Sequence, residues 1–228
     1  MQPNIAKLDK LEYLFIGSPD LVYFPSKLGE LINLKQLEIN CSNLTSLPPI
    51  INLYDLLVLK VMAGKMTGLS VNFHDMNHLK YLEIGGVSKF NSFSEDLCEL
   101  TELEELELNI PSAKNIPACI GNMKSLKKIH LNEATKIENF PESISNLTNL
   151  KEIYLANFDL EFEGQSLKRI NHPFTLILNR GNYPRQAKYL LEVPQLEKLI
   201  LPSNILPQEL KKVKELLGEG KVQVMELN

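Results

Sequence analysis

The sequence predicts an α/β solenoid: a right-handed, curved stack of repeats with a concave parallel β-sheet of about ten strands and short helical or 3-10 segments on the convex side. Three observations point there. Unit starts recur every 22 to 24 residues, at Leu11, Leu34, Leu56, Leu79, Leu103, Leu126, Leu150, Pro173, Leu196 and Glu219. The positions three and five residues after each start are aliphatic in all ten units, from Leu14 and Ile16 through to Val222 and Val224. An apolar-Pro step follows the strand at Phe24-Pro25, Leu47-Pro48, Ile116-Pro117 and Phe140-Pro141. A fixed period of this length means units that cannot bury an apolar face alone, so neighbours must stack.

Taken in order, residues 1–10 read as a half-unit cap, with Ile5 and Leu8 where a preceding helical segment would place its apolar residues. Repeats fill 11–204. In the sixth, Leu126 to Asn149, Leu126, Ile129 and Leu131 alternate inward around Lys128 and His130, the period-two signature of a short strand. Ile137 and Phe140 then return to the core. Pro141 presets φ for the first turn of a short helix, and Ile144 and Leu147 follow at a helix-like interval of three. Stacked strands ~4.8 Å apart give an inner surface roughly 43 Å long. Strands pack more narrowly than helices, so the sheet lies on the concave side. Units seven and eight are degenerate: Pro173 replaces the first Leu, and Arg180 to Lys188 reads as a worn repeat or else a local loop. Residues 205–228 form a cap, an amphipathic helix carrying Leu206, Leu210, Val213 and Leu217 and a final strand from Lys221 to Leu227. That strand leaves an open edge, which Lys221 and Glu226 protect by charge. A monomer is therefore expected, with an edge-strand dimer as the alternative, and 1–228 reads as a single domain.

The Leu-x-x-Leu-x-Leu strand with its Leu-Pro-x-x-Ile-x-x-Leu return, best seen in Phe140-Pro141-Glu142-Ser143-Ile144-Ser145-Asn146-Leu147, resembles the ~23-residue leucine-rich repeats of intracellular signalling scaffolds, plant immune receptors and many bacterial proteins. The resemblance covers nearly the whole chain. It implies an architecture rather than a chemistry. The family usually places Asn eight residues after each unit start. Here that place holds Pro19, Ser42, Gly64, Val87, Pro111, Ala134, Phe158 and Gly181, and only Asn204 conforms. Irregular turns satisfied by water or by local backbone bonds are expected instead.

Composition narrows the function. With 44% hydrophobic and 23% charged residues the chain is that of a soluble protein. Its net charge is −4 and no basic run tracks a phosphate backbone, which argues against nucleic acid. No apolar run reaches the ~20 residues of a membrane span. Met1 to Lys10 lacks the apolar stretch of a secretory signal. The three cysteines, Cys41, Cys98 and Cys119, are too few and odd in number for a disulfide framework, so reduced thiols and a cytoplasmic location are expected. Cys98 and Cys119 lie on neighbouring units within reach of each other, yet buried inert thiols are the default. The Asn-x-Ser/Thr patterns at Asn40, Asn43 and Asn146 follow from the repeat's own preferences.

No catalytic arrangement emerges, and no cofactor is implied. His74 and His78 have the i, i+4 spacing of a helical metal site but lack a third ligand. Gly218-Glu219-Gly220-Lys221 resembles a phosphate loop, but Val222 follows the lysine where Ser or Thr is needed. What remains is the concave face. Its middle is acidic, with Glu83, Glu105 and Glu107 bordered by Lys127, Lys128 and His130. Beside it Tyr154, Ile177 and Ile200 fall in one column on consecutive strands. Adjacent like charges are unfavourable in the free protein, and a basic partner surface would relieve them. Exposed aliphatics in a row suggest an interface core, unless Arg180 to Lys188 or the C-terminal segment folds over them. The expectation is a non-enzymatic module binding a protein or peptide, with Glu83, Glu105, Glu107, His130, Tyr154, Ile177 and Ile200 as contacts. The alternative is the recognition or sensor part of a larger enzyme or receptor, of ubiquitin-ligase, bacterial-effector or immune-receptor type.

Overall fold

Ten parallel strands form one open sheet in strict sequence order in the computed structural model, which describes residues 7–23, 27–47, 52–66, 73–86, 95–109, 111–133, 137, 140–156, 167–180 and 182–225. The strands are β1 Tyr13–Gly17, β2 Gln36–Asn40, β3 Val58–Met62, β4 Tyr81–Gly85, β5 Glu105–Asn109, β6 Lys128–Asn132, β7 Glu152–Ala156, β8 Phe174–Asn179, β9 Leu196–Leu201 and β10 Val222–Val224. Parallel neighbours need a crossover, and the repeat supplies it in one unit length. Register follows the sequence period: Leu14, Leu37, Leu59, Leu82, Leu106, Ile129, Ile153, Leu176, Leu199 and Val222 stand side by side. From Leu37 to Leu199 this column is at most 1% exposed, so each of its leucines and isoleucines contributes about 1.5–3 kcal/mol of burial.

The β8–β9 pairing shifts by one residue at Phe174/Thr175, which corrects the placing of Pro173 at a unit start. Pro173 is exposed, and Phe174, 1% exposed, fills the core place that leucine holds elsewhere. A proline has no N–H for the ladder and no long side chain to bury, so the next residue takes over.

On the convex side, 3-10 turns occupy Leu28–Glu30, Glu95–Glu99, Ala118–Asn122, Glu142–Asn146 and Leu167–Arg169. Pro117 and Pro141 sit just ahead of their turns with extended backbone (ψ 143° and 154°), one position before the first-turn place expected of them. The prolines of Phe24-Pro25 and Leu47-Pro48 lie outside the described residues, as do Ile5, Glu226 and Leu227. Leu8 is 51% exposed. The last two units carry true α-helices, α1 Tyr183–Leu190 and α2 Pro207–Leu217. For Arg180 to Lys188 this overturns the loop reading: the eighth unit keeps its strand in the stack, and a helix stands in its return segment. The segment is capped by Asn182, whose side chain accepts the Arg185 N–H at 3.1 Å, and Pro184 stands in the first turn.

The turns that lack the family asparagine are tied by backbone bonds to the next unit. Cys41 N–H reaches the Met62 carbonyl at 2.9 Å, Ala63 that of Gly85 at 3.0 Å, and Glu133 that of Ala156 at 3.0 Å. The approach is close: a Cβ on Gly64 would fall 2.5 Å from the Ser42 carbonyl oxygen. Gly86 adopts φ +73°, which favours glycine.

The thiols also require a correction. Cys98 and Cys119 form a disulfide with Cα atoms 5.7 Å apart, and only Cys41 is free and buried. They are 21 residues apart, close to one repeat, so stacking brings the fourth residue of Glu95–Glu99 beside the second residue of the adjacent turn Ala118–Asn122. An odd count does not prevent one pair from forming.

Candidate functional site: the concave sheet face

Five-residue strands with inward second and fourth residues must turn the other three outward. This puts Glu83, Glu107, His130, Tyr154, Ile177 and Ile200 in one unbroken row across β4 to β9. Glu105 lies in the parallel row two residues earlier, between Tyr81 and Lys128. All seven candidate residues are half-buried on this face. α1 does not cover it, because Tyr183, Ala187 and Leu190 join the core on the other side of the sheet.

The acidic part is internally organised, which the sequence reading did not anticipate. The Tyr81 hydroxyl lies 3.2 Å from Glu83 Oε2 and 3.0 Å from Glu107 Oε2. Asn132 Nδ2 donates to Glu107 Oε1 at 2.9 Å. Lys128 Nζ meets Glu105 Oε1 at 2.9 Å, and hydrogen bonding to that carboxylate holds the ammonium pKa above its ordinary value. His130 Nε2 lies 2.8 Å from Glu152 Oε1, and its ring centroid is 5.3 Å from that of Tyr154. Lys127 pairs with Glu104 at 2.5 Å and so belongs to the strand entrances. The like-charge cost among the glutamates is thus offset by donors from neighbouring strands. A shallow cavity of about 180 Å³ lies between Tyr81, Glu105, Glu107, Lys128 and His130.

Beyond Tyr154 this row becomes apolar at Ile177 and Ile200, with polar Thr175, Asn179 and Lys198 beside it. The Tyr154 hydroxyl accepts from Asn179 Nδ2 at 3.0 Å, which fixes the ring beside Ile177. Two more apolar residues belong to this face beyond the seven candidates: Tyr13 and Phe15 on β1 are 50% and 53% exposed at the start of the two outward rows. Their signal was already present, since each heads a column whose next member is polar.

His74 and His78 lie in turns rather than on a helix, and each faces a glutamate of the next unit, Glu99 at 2.9 Å and Glu102 at 3.5 Å. Among the described residues no group of three or more His, Cys, Asp or Glu is arranged to hold a metal. No described helix is long and apolar enough to cross a membrane.

Comparison with known proteins agrees with this geometry. No family model matches the chain. It is 30% identical over 133 residues to Protein SUPPRESSOR OF npr1-1, CONSTITUTIVE 1 of Arabidopsis thaliana; the match takes in 57% of this chain and 9% of that protein's length. Among solved structures it resembles the leucine-rich repeat protein LIC12759 of Leptospira interrogans, at TM-score 0.51 and 22% identity over 98% of this chain and 68% of that one. It also resembles the functional domain of InlJ from Listeria monocytogenes, which includes a cysteine ladder, at TM-score 0.57 and 18% identity over 78% of this chain and 38% of that one. With ten in-register parallel strands and one leucine column through the core, the chain has the leucine-rich repeat fold.

Proposed function

We propose that this chain is a non-enzymatic binding module, acting as a monomer, that holds a protein or peptide partner on its concave sheet. The observation that carries the reading is the row Tyr154–Ile177–Ile200: three apolar side chains on consecutive strands, half-buried and uncovered by α1. Contiguous apolar groups on consecutive strands of a sheet face supply the desolvated centre of an interface. Glu83, Glu105, Glu107 and His130 border that centre, and a partner with a basic surface suits the carboxylates. Because the glutamates already have internal donors, their role is to orient the partner more than to add affinity.

The test is affinity capture from source-cell lysate with the wild type beside an Ile177→Asp/Ile200→Asp variant whose circular dichroism is intact. A partner held by the wild type and lost, by roughly 100-fold in affinity, from the folded variant supports the reading. Equal retention by both removes it.

A second reading, the recognition or sensor part of a larger enzyme or receptor, draws on the comparison in which the matched stretch is 9% of a far longer protein. A reading frame that continues into a catalytic or nucleotide-binding domain supports this; flanking stop and start codons remove it. The cytoplasmic location expected from the cysteine count is in tension with a formed Cys98–Cys119 bond, because reducing compartments keep thiols free. Alkylation of the protein in its source cells, followed by mass measurement, decides between them.

A further inference from the structure

The two α-helices that close the stack create a surface that no earlier unit has. α1 buries Tyr183, Gln186, Ala187 and Leu190, and α2 buries Val213 with Leu210, Leu216 and Leu217 partly covered. Helices are wider than 3-10 turns, so a groove remains between them, with a cavity of about 490 Å³. Pro184 and Leu216 give it apolar walls, and Arg185, Lys188 and Lys212 stand around it with a single carboxylate, Glu215. That carboxylate is within 4.0 Å of Lys211 on its own helix. Lys188 and Lys212 pair with no carboxylate among the described residues.

The local charge balance gives this weight, with Arg185, Lys188 and Lys212 set against the one carboxylate of Glu215. Elsewhere Lys35, Lys60, Lys127, Lys128 and Lys168 each meet a glutamate of an adjacent unit, and Lys80 meets Glu102 at the end of its own. The groove instead gathers cations, in a chain whose net charge is −4. Lysines without a carboxylate partner among the described residues, set beside apolar Pro184 and Leu216, are complementary to a carboxylate-bearing segment with an apolar residue between its charges. We infer that the α1–α2 groove docks an acidic peptide segment of a partner protein, independently of the concave face. It lies on the opposite side of the sheet, so both surfaces can be occupied at once.

The test uses the full chain and a fluorescein-labelled twelve-residue peptide of Glu-Glu-Leu repeats, followed by anisotropy at low salt. The expected result is saturable binding to the wild type, weakened at least about tenfold in Lys188→Glu/Lys212→Glu and much less in a remote variant of equal charge change, Lys7→Glu/Lys10→Glu. If the charge reversal perturbs folding by circular dichroism, Lys188→Gln/Lys212→Gln replaces it, with a loss of about threefold or more expected. No saturable binding by the wild type, or equal binding by the folded groove variant, overturns the inference. So does a groove-dependent gain of binding to phosphatidylserine vesicles without binding to the peptide, which would make the site a membrane contact.

Discussion

Tyr81 sets the behaviour of the acidic half of the concave face. Its single hydroxyl proton lies between two carboxylates, at 3.0 and 3.2 Å, on a partly buried ring. Burial first, then the charges of Glu107 and Glu83, push the phenol well above its ordinary value of 10.0. A pKa raised in the folded state stabilises the fold below the unfolded value and loses that contribution as pH climbs above it. Stability should therefore fall above about pH 10, less steeply in Tyr81→Phe than in the wild type, as followed by urea unfolding across that range. Identical pH profiles would contradict the assignment. His74 gives a second residue-scale check. The Glu99 hydrogen bond and charge raise its pKa above 6.5, so its imidazole titration by NMR should lie above that value and fall back in Glu99→Gln. Period-two alternation made the outward position of Glu83, Glu105 and Glu107 legible in the sequence. Their donors were not, because a tyrosine hydroxyl reaching across one strand depends on register and rotamer together.

At the scale of elements, two adjacent 3-10 turns are joined by Cys98–Cys119. Closing a loop of 21 residues constrains the unfolded chain by roughly 3 kcal/mol. Cys98→Ser/Cys119→Ser should lower Tm by several degrees, and a reductant should lower the wild-type Tm to match; an unchanged Tm in both would contradict a formed bond. The core column makes a different demand. Leu106, 1% exposed, sits mid-sheet, so Leu106→Ala should cost about 2–5 kcal/mol in urea unfolding. The strands and 3-10 turns followed from the repeat because each element repeats the same burial problem. Two of the misreadings fall where the repeat is broken. Around Pro173 the core residue moved one place along, to Phe174. At Arg180 to Lys188 a capped helix replaces the apolar-Pro return, and its start signals, Asn182 and Pro184, stand where the repeat period calls for a different pattern.

At the scale of the molecule, each unit packs mainly on its neighbours, so one register runs from β1 to β10 and carries each outward row with it. The row Glu83–Glu107–His130–Tyr154–Ile177–Ile200 could be drawn from the sequence for that reason alone. How far each member is exposed could not, since exposure depends on what neighbouring side chains cover. The apolar centre at Ile177 and Ile200 is only half-exposed, whereas Tyr13 and Phe15 at the first strand are the more open. The groove between α1 and α2 belongs to the same class of feature, invisible until the last two helices are placed. The measurement that goes most directly to the central claim is site-specific photo-crosslinking of the captured partner. A benzoylphenylalanine is placed at Ile177 on the concave row or at Ser145 on the convex 3-10 turn. The account predicts a crosslinked partner from position 177 and none from 145. Crosslinking from 145 with none from 177 would contradict it.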